Sequence, residues 1–293
     1  MICVDGTFLK TRYGGHMLCV VALDANSHIY PIAFVLVNSE NHNSWNYFMM
    51  KLKEAIGVVD NLAFVSNRHA SIIHALEVVF LDGHHEMWNA SYEFQKSKFH
   101  RFFNNIKQMD PAIGQYLEGI GFNNGTRAYF PGNRYNIMTR NYTESFNNKT
   151  EDARTLLVTT FVEFIRFTLQ SWFVGRRDEV VNCASTLSPL MEKDLAGIVA
   201  DSKYLKVHAL GQFEFHVVDP NGDGEGNLMT KSCSCGMFKI IEIPCVHAVA
   251  VAIDRGVNIY SLCSPFYTSE MWRESYKETI YPTSNTSGQF LRT

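Results

Sequence analysis

Ile2-Cys-Val4 is a short apolar run that gives way to Asp5-Gly6-Thr7, and the pattern predicts a strand ending there. Apolar runs from His16 to Leu23 and from Ile29 to Val37 flank Asp24-Ala-Asn-Ser, which has turn composition, so they read as a paired hairpin. The period then lengthens. Trp45, Phe48, Met49, Leu52 and Ile56 fall at helical spacing, which predicts a helix from Ser44 to Ile56 with Ser44 as N-cap. A short buried strand is expected from Leu62 to Val65, and a second helix from Ala70 to Phe80 with Ile72, Ile73, Ala75, Leu76 and Val79 inward. Strand, hairpin, helix, strand, helix is an α/β layer arrangement, compatible with an RNase-H-like core.

Helical spacing dominates the middle. A helix is expected near Pro111 to Ile120, and a long one from Thr155 to Phe173, largely buried through Leu156, Val158, Phe161, Phe164, Ile165 and Leu169. Arg176-Arg177 would suit phosphate contacts, but Asp178-Glu179 comes directly after, and the run reads as a solvated helix end. Ser188 to Lys206 reads as a helix with Ser188 as N-cap and Pro189 in its first turn. Phe213 to Val218 alternates as a strand, Asp219-Pro-Asn-Gly-Asp-Gly224 is a turn, and Leu228 to Ser234 is the expected return strand. His247 to Asp254 is a short apolar helix. From Thr283 the polar tail reads as disordered.

Composition narrows the classes. The 293 residues are 46% hydrophobic, ample for a core. A net charge of -3 does not announce nucleic-acid binding for the whole chain, though local patches could supply it. No apolar run approaches a membrane span, and no secretory signal precedes the first charges. Seven cysteines at this length and spacing fit metal-bound and buried thiols in a reducing compartment better than a disulfide framework.

The sharpest chemistry is Cys233-x-Cys235, nine residues, then Cys245-x-His247. Three thiolates and an imidazole form the usual closed shell of a structural zinc ion. In an extended segment residues i and i+2 share a face, so Cys233 and Cys235 can meet one ion, and Cys245 and His247 at a helix start can close the tetrahedron. The plain alternative is a set of core cysteines and a core histidine. His216 is a competing donor, but its alternating strand position reads as a surface histidine.

This spacing resembles the SWIM-type zinc finger, and Phe238, the Ile-Pro-Cys-x-His-Ala run, Tyr267, Trp272 and Tyr276 resemble its plant version. Upstream, Asp5-Gly-Thr-Phe-Leu-Lys10, Ala22-Leu-Asp24-Ala-Asn26, Ser66-Asn67-Arg68-His69, Arg127-Ala-Tyr-Phe-Pro-Gly132 and Glu144-Ser145 with Asn147 are similar to phrases of plant Mutator-like (MULE) transposases. The resemblance implies an RNase-H-like core over 1–105, a helical part carrying Glu144 over 106–206, a SWIM module over 207–282 and a tail over 283–293. It also implies an acidic site that cleaves phosphodiesters with two Mg²⁺ or Mn²⁺ ions.

Asp5 and Glu144 match that family's acids; Asn67 stands where it carries aspartate. An amide keeps the shape but loses the charge and the bridging oxygen. Without the resemblance, Asp5 before Gly6 reads as a strand-end turn residue and Glu144 as a solvated helix residue. Trp88 and Ser91 stand where the family has the cysteine and second histidine of a further metal motif. The chain opens almost on the first catalytic strand, so the expectation is a truncated, domesticated or decaying copy. The resemblance further implies a nuclear protein holding one structural Zn²⁺ per chain. DNA and proteins docking on the SWIM module are its candidate partners, and no import signal is visible. Mg²⁺ or Mn²⁺ matters only if the acidic site survives. Oligomeric state is left open.

Overall fold

The structure is a computed structural model, describing residues 1–10, 14–59, 62–66, 69–80, 84–87, 96–109, 111–122, 126, 129 and 141–281. In chain order the first elements are β1 (Ile2–Phe8), β2 (His16–Leu23), β3 (Ile29–Val37), α1 (His42–Ile56), β4 (Ala63–Ser66), α2 (Ala70–Val79) and β5 (His84–Met87). Then come α3 (Lys96–Met109), α4 (Pro111–Ile120), α5 (Asn141–Lys149), α6 (Val158–Val181) and α7 (Pro189–Ser202). The last group is β6 (Lys206–Ala209), β7 (Glu214–Val218), β8 (Gly224–Asn227), β9 (Ser232–Cys233), α8 (Met237–Ile241), α9 (Val246–Asp254) and α10 (Ser269–Ser275).

The first sheet has strand order β3-β2-β1-β4-β5. β1, β2 and β3 form an antiparallel meander, while β4 and β5 run parallel to β1. Strand alternation feeds two cores. Ile2, Val4, Leu18 and Val20 pack with Trp45, Met49, Ile72 and Leu76 of α1 and α2. Cys3, Met17, Cys19 and Val21 face the other way, onto Phe146 of α5 and Phe161 and Ile165 of α6. Apolar residues on both faces of β1 and β2 are what a sheet covered on both sides demands. Pro31, which cannot donate to a ladder, lies on edge strand β3 where the register slips against Val20 and Val21.

Several boundaries differ from expectation. β1 runs through Asp5 to Phe8, because β2 pairs with it as far as Phe8 opposite His16. The cap of α1 is Asn41, whose side chain accepts from Ser44 N at 3.0 Å; Ser44 Oγ donates to Ser39 O instead. The long helix starts later and runs eight residues past Phe173. Ser188 precedes α7, but its hydroxyl donates to Ala25 O rather than capping. The expected return strand is split: β8 lies earlier, Leu228–Lys231 turns, and only Ser232–Cys233 continues as β9. β5, β6, α3, α8 and α10 come in addition to the expected elements, and the expected disordered tail from Thr283 lies outside the described residues.

α10 returns to the hairpin of β2 and β3. Asp24, with no solvent-accessible side chain, sits in the β2–β3 turn. It accepts from the backbone N of Asn26 and His28, from Trp272 Nε1 at 2.8 Å and from Tyr276 OH at 2.8 Å. Arg176 of α6 donates to Ile29 O and to Tyr276 OH, and Arg177 donates to the carbonyls of Tyr276 and Glu278. The paired arginines are therefore a clamp on α10, not a solvated helix end. Trp272 and Tyr276 bury against Ala25, Phe173 and Val180.

Burial alone would raise the Asp24 carboxyl, but hydrogen bonds from His28 and Tyr276 and the nearby His28 ring outweigh it and hold the carboxyl below its ordinary range. A group held low contributes stability above its unfolded pKa, about 4, and loses it as the pH falls through the lower folded value. Asp24→Ala should therefore cost about 3 kcal/mol at neutral pH by denaturant titration, with Trp272 Nε1 and Tyr276 OH left unpaired. The gap from wild type should narrow below about pH 4.

Candidate metal centre and the acidic site

Cys233 ends β9, paired with Gly226 of β8. The chain then turns tightly: Gly236 N donates to Cys233 O at 2.9 Å, and Gly236 has φ 79°, a left-handed value that favours glycine. Cys235 sits inside this turn. α8 buries Phe238 and carries the chain to Pro244, after which Cys245 stands at the cap position of α9 with His247 in its first turn. The one-face extended geometry expected for Cys233 and Cys235 is thus replaced by a strand end and a turn.

The donor atoms of Cys233, Cys235, Cys245 and His247 all lie within 4.8 Å of one another, and Cys235 is the least buried. His247 Nδ1 is 3.6 Å from Cys233 Sγ and 4.0 Å from Cys245 Sγ. Neighbouring donors in a zinc tetrahedron, with bonds of about 2.3 Å to sulfur and 2.0 Å to nitrogen, stand about 3.5–3.8 Å apart. Both the donor set and its spacing fit zinc.

Hydrogen bonds with Cys233 and Cys245 hold the Cys235 thiol far below the ordinary thiol range, while hydrogen bonds with Cys233 and Cys235, together with burial, push the Cys245 thiol far up. Burial opposes the charge on His247, but hydrogen bonds to Cys233 and Cys235 raise it to about 10. A dication binding here displaces protons, since it takes thiolates and neutral imidazole.

The groups that steady His247 lie outside the ligand motif. His247 Nε2 is 3.2 Å from Gly222 O and 3.3 Å from Asp219 Oδ2, two groups that only accept. That nitrogen therefore carries the proton, and Nδ1 faces the sulfurs with its lone pair when the ring is neutral. Asp219 is buried and fixed in turn by Asn221 N on Oδ1. A Cβ on Gly224 would collide with the His247 ring. The turn at 219–224 is thus part of the centre. Its only sequence signal is an aspartate opening a glycine-rich turn. His216 points away from it, on the opposite face of β7 from buried Phe215 and Val217.

Asp5 lies inside β1 opposite Cys19 and is buried, so it is not a strand-end turn residue. Asn147 Nδ2 of α5 donates to Asp5 Oδ2 at 3.3 Å, and Cys19 Sγ donates to Asn147 Oδ1 at 3.7 Å, which orients the amide. Glu144, half-buried in the first turn of α5, is three residues before Asn147 and shares its helix face. Arg154 donates to Asn147 O and Thr7 Oγ1, tying α5 to β1. Burial raises Cys3 to about 12, and burial with the Asp5 charge pushes Cys19 higher, so both stay thiols. β4 is described as far as Ser66, opposite Val4; Asn67 lies outside the described residues. So do Trp88 and Ser91.

Asp219→Ala should weaken zinc by about 10–100-fold in chelator competition, as loss of a ligand's hydrogen-bonding partner does. Unchanged chelator resistance would remove Asp219 from the centre.

Residues 1–89 match the MULE transposase domain, and residues 216–256 match the SWIM zinc finger. No curated protein matches the chain. The chain therefore has a MULE transposase domain followed by a SWIM zinc finger, the arrangement of a MULE transposase with a C-terminal SWIM module.

Proposed function

We propose that this is a zinc-binding, transposase-derived protein that engages nucleic acid or a protein partner without catalysing transposition. The observation that carries the reading is the Cys233, Cys235, Cys245 and His247 cluster, four donors within 4.8 Å in a SWIM match. In this reading those four residues hold one structural Zn²⁺, and the binding free energy, on the order of 10 kcal/mol, is folding free energy for the surrounding strands and short helices. No helix among the described residues is long and apolar enough to cross a membrane. The nucleus is the place where a transposase-derived binder of DNA would act, and the partners we assign are DNA or a protein docking on the SWIM module.

Loss of catalysis rests on Asn67. Two-metal cleavage needs carboxylates that bridge both ions, and an amide offers one neutral oxygen. The alternative is a residual DDE-type transposase or nuclease in which Asp5 and Glu144 hold Mg²⁺ or Mn²⁺. It is favoured by the buried contact of Asp5 with Asn147 on the helix that carries Glu144. The strand order β3-β2-β1-β4-β5, covered by helices on both faces, supports an RNase-H-like core for this region. The division into 1–105, 106–206 and 207–282 belongs to the same reading.

Elemental analysis should find one zinc per purified chain, lost or loosened by His247→Ala; a well-folded chain without zinc would sink the reading. Plasmid nicking in Mn²⁺ should be absent. Nicking that vanishes on Asp5→Ala and rises on Asn67→Asp would establish the alternative instead.

A further inference from the structure

The outer face of the second sheet carries a group of donors separate from the cysteine cluster. β6, β7 and β8 are consecutive antiparallel strands, and the register places His208 opposite His216 and His216 opposite Glu225. Directly opposed residues project from the same face of a sheet. Phe215 and Val217 point inward and are fully buried, so His208, His216 and Glu225 form a row on the solvent side. The two imidazoles stack, with centroids 5.8 Å apart and planes inclined at 28°. Asp223, in the turn between β7 and β8, brings Oδ2 to 3.7 Å from His216 Nε2. Its other oxygen accepts from Asp219 N at 3.0 Å, which fixes the carboxylate against the turn.

Stacked imidazoles on adjacent strands, with one carboxylate held beside His216 and another across the ladder from it, are a nitrogen and oxygen donor set. Imidazole selects zinc, copper and nickel over magnesium and calcium. We propose that His208, His216 and Asp223, with Glu225 across the ladder, form a second, solvent-facing site for a first-row transition-metal dication. The strands hold both histidine backbones directly opposed, and binding requires exposed His208 and half-buried His216 to turn from ring stacking to convergence on one ion. The site is open to water and to an incoming ligand, unlike the closed cysteine centre. It also shares a turn with that centre: Asp223 holds Asp219 N, and Asp219 Oδ2 meets His247. Neither the transposase assignment nor the acidic site bears on it.

The test is calorimetric titration of the zinc-loaded full chain with Ni²⁺. A second imidazole pair, His42 with His74 between α1 and α2, is removed from the reading by working in a His42→Ala background. His208 is exposed, so His208→Ala should leave the fold and the tightly held zinc unchanged, which elemental analysis checks. The expected result is one Ni²⁺ event that His208→Ala weakens by at least about tenfold and Asp223→Asn weakens in the same direction. Ni²⁺ binding that is absent, or equal with and without His208, would overturn the proposal. The cysteine centre is judged separately by its own zinc content, so either site can fail alone.

Discussion

Asp24 takes a negative charge to a place solvent does not reach, and the surroundings are arranged to make that tolerable. Isolated, such a charge would cost far more than one contact returns. Here two backbone amides, the His28 ring, an indole and a phenol all point at it. Those donors come from residues 26–28 and 272–276, so satisfying the charge means joining the β2–β3 hairpin to α10 and the residue after it. Arg176 then completes the cluster from α6, stacking 4.9 Å over Trp172 while donating to Tyr276. The zinc finger lies between α7 and α10, both of which dock on the β2–β3 turn or beside it. Its attachment to the transposase sheet runs through that carboxylate from α10 and through Ala25 O and Asn26 Oδ1 from α7.

The cysteine centre obeys the same logic on a smaller scale. A glycine-rich turn supplies a carboxylate and a carbonyl to one nitrogen of His247, leaving the other for metal. Gly224 lets β8 pass against the imidazole where any side chain would displace it. In the acidic region Asn147 performs a comparable service for Asp5, with its orientation set by Cys19. In each case a buried polar side chain is positioned by a residue whose own hydrogen bonds leave it little freedom.

Legibility in the sequence tracks the range of the interactions involved. β2 and β3 are readable to the residue, since long apolar runs flank a polar turn. The four zinc donors are readable because their spacing is itself the chemistry. Asn41 as the cap of α1 is hidden because Ser44 is an equally good capper, and only the local hydrogen bonds decide. β8 and β9 are misplaced by pattern alone because glycine-rich strands carry little alternation. Arg176 and Arg177 mislead for a different reason: their partners lie about a hundred residues away, and no local pattern encodes them.

The clasp at Asp24 also sets an order of events. Asp24 and Tyr276 are separated by 252 positions, so a ribosome finishes the first hairpin long before its partner exists. At about 5–20 residues per second, the interval is on the order of ten to fifty seconds. Through that time Asp24 has only the donors of its own hairpin and water, and Phe173, once α6 emerges, lacks its edge contact with the Tyr276 ring. α10 is made long after the hairpin it closes, and a ribosome that stalls short of Trp272 releases a β2–β3 turn whose Asp24 lacks both its indole and its phenol donor.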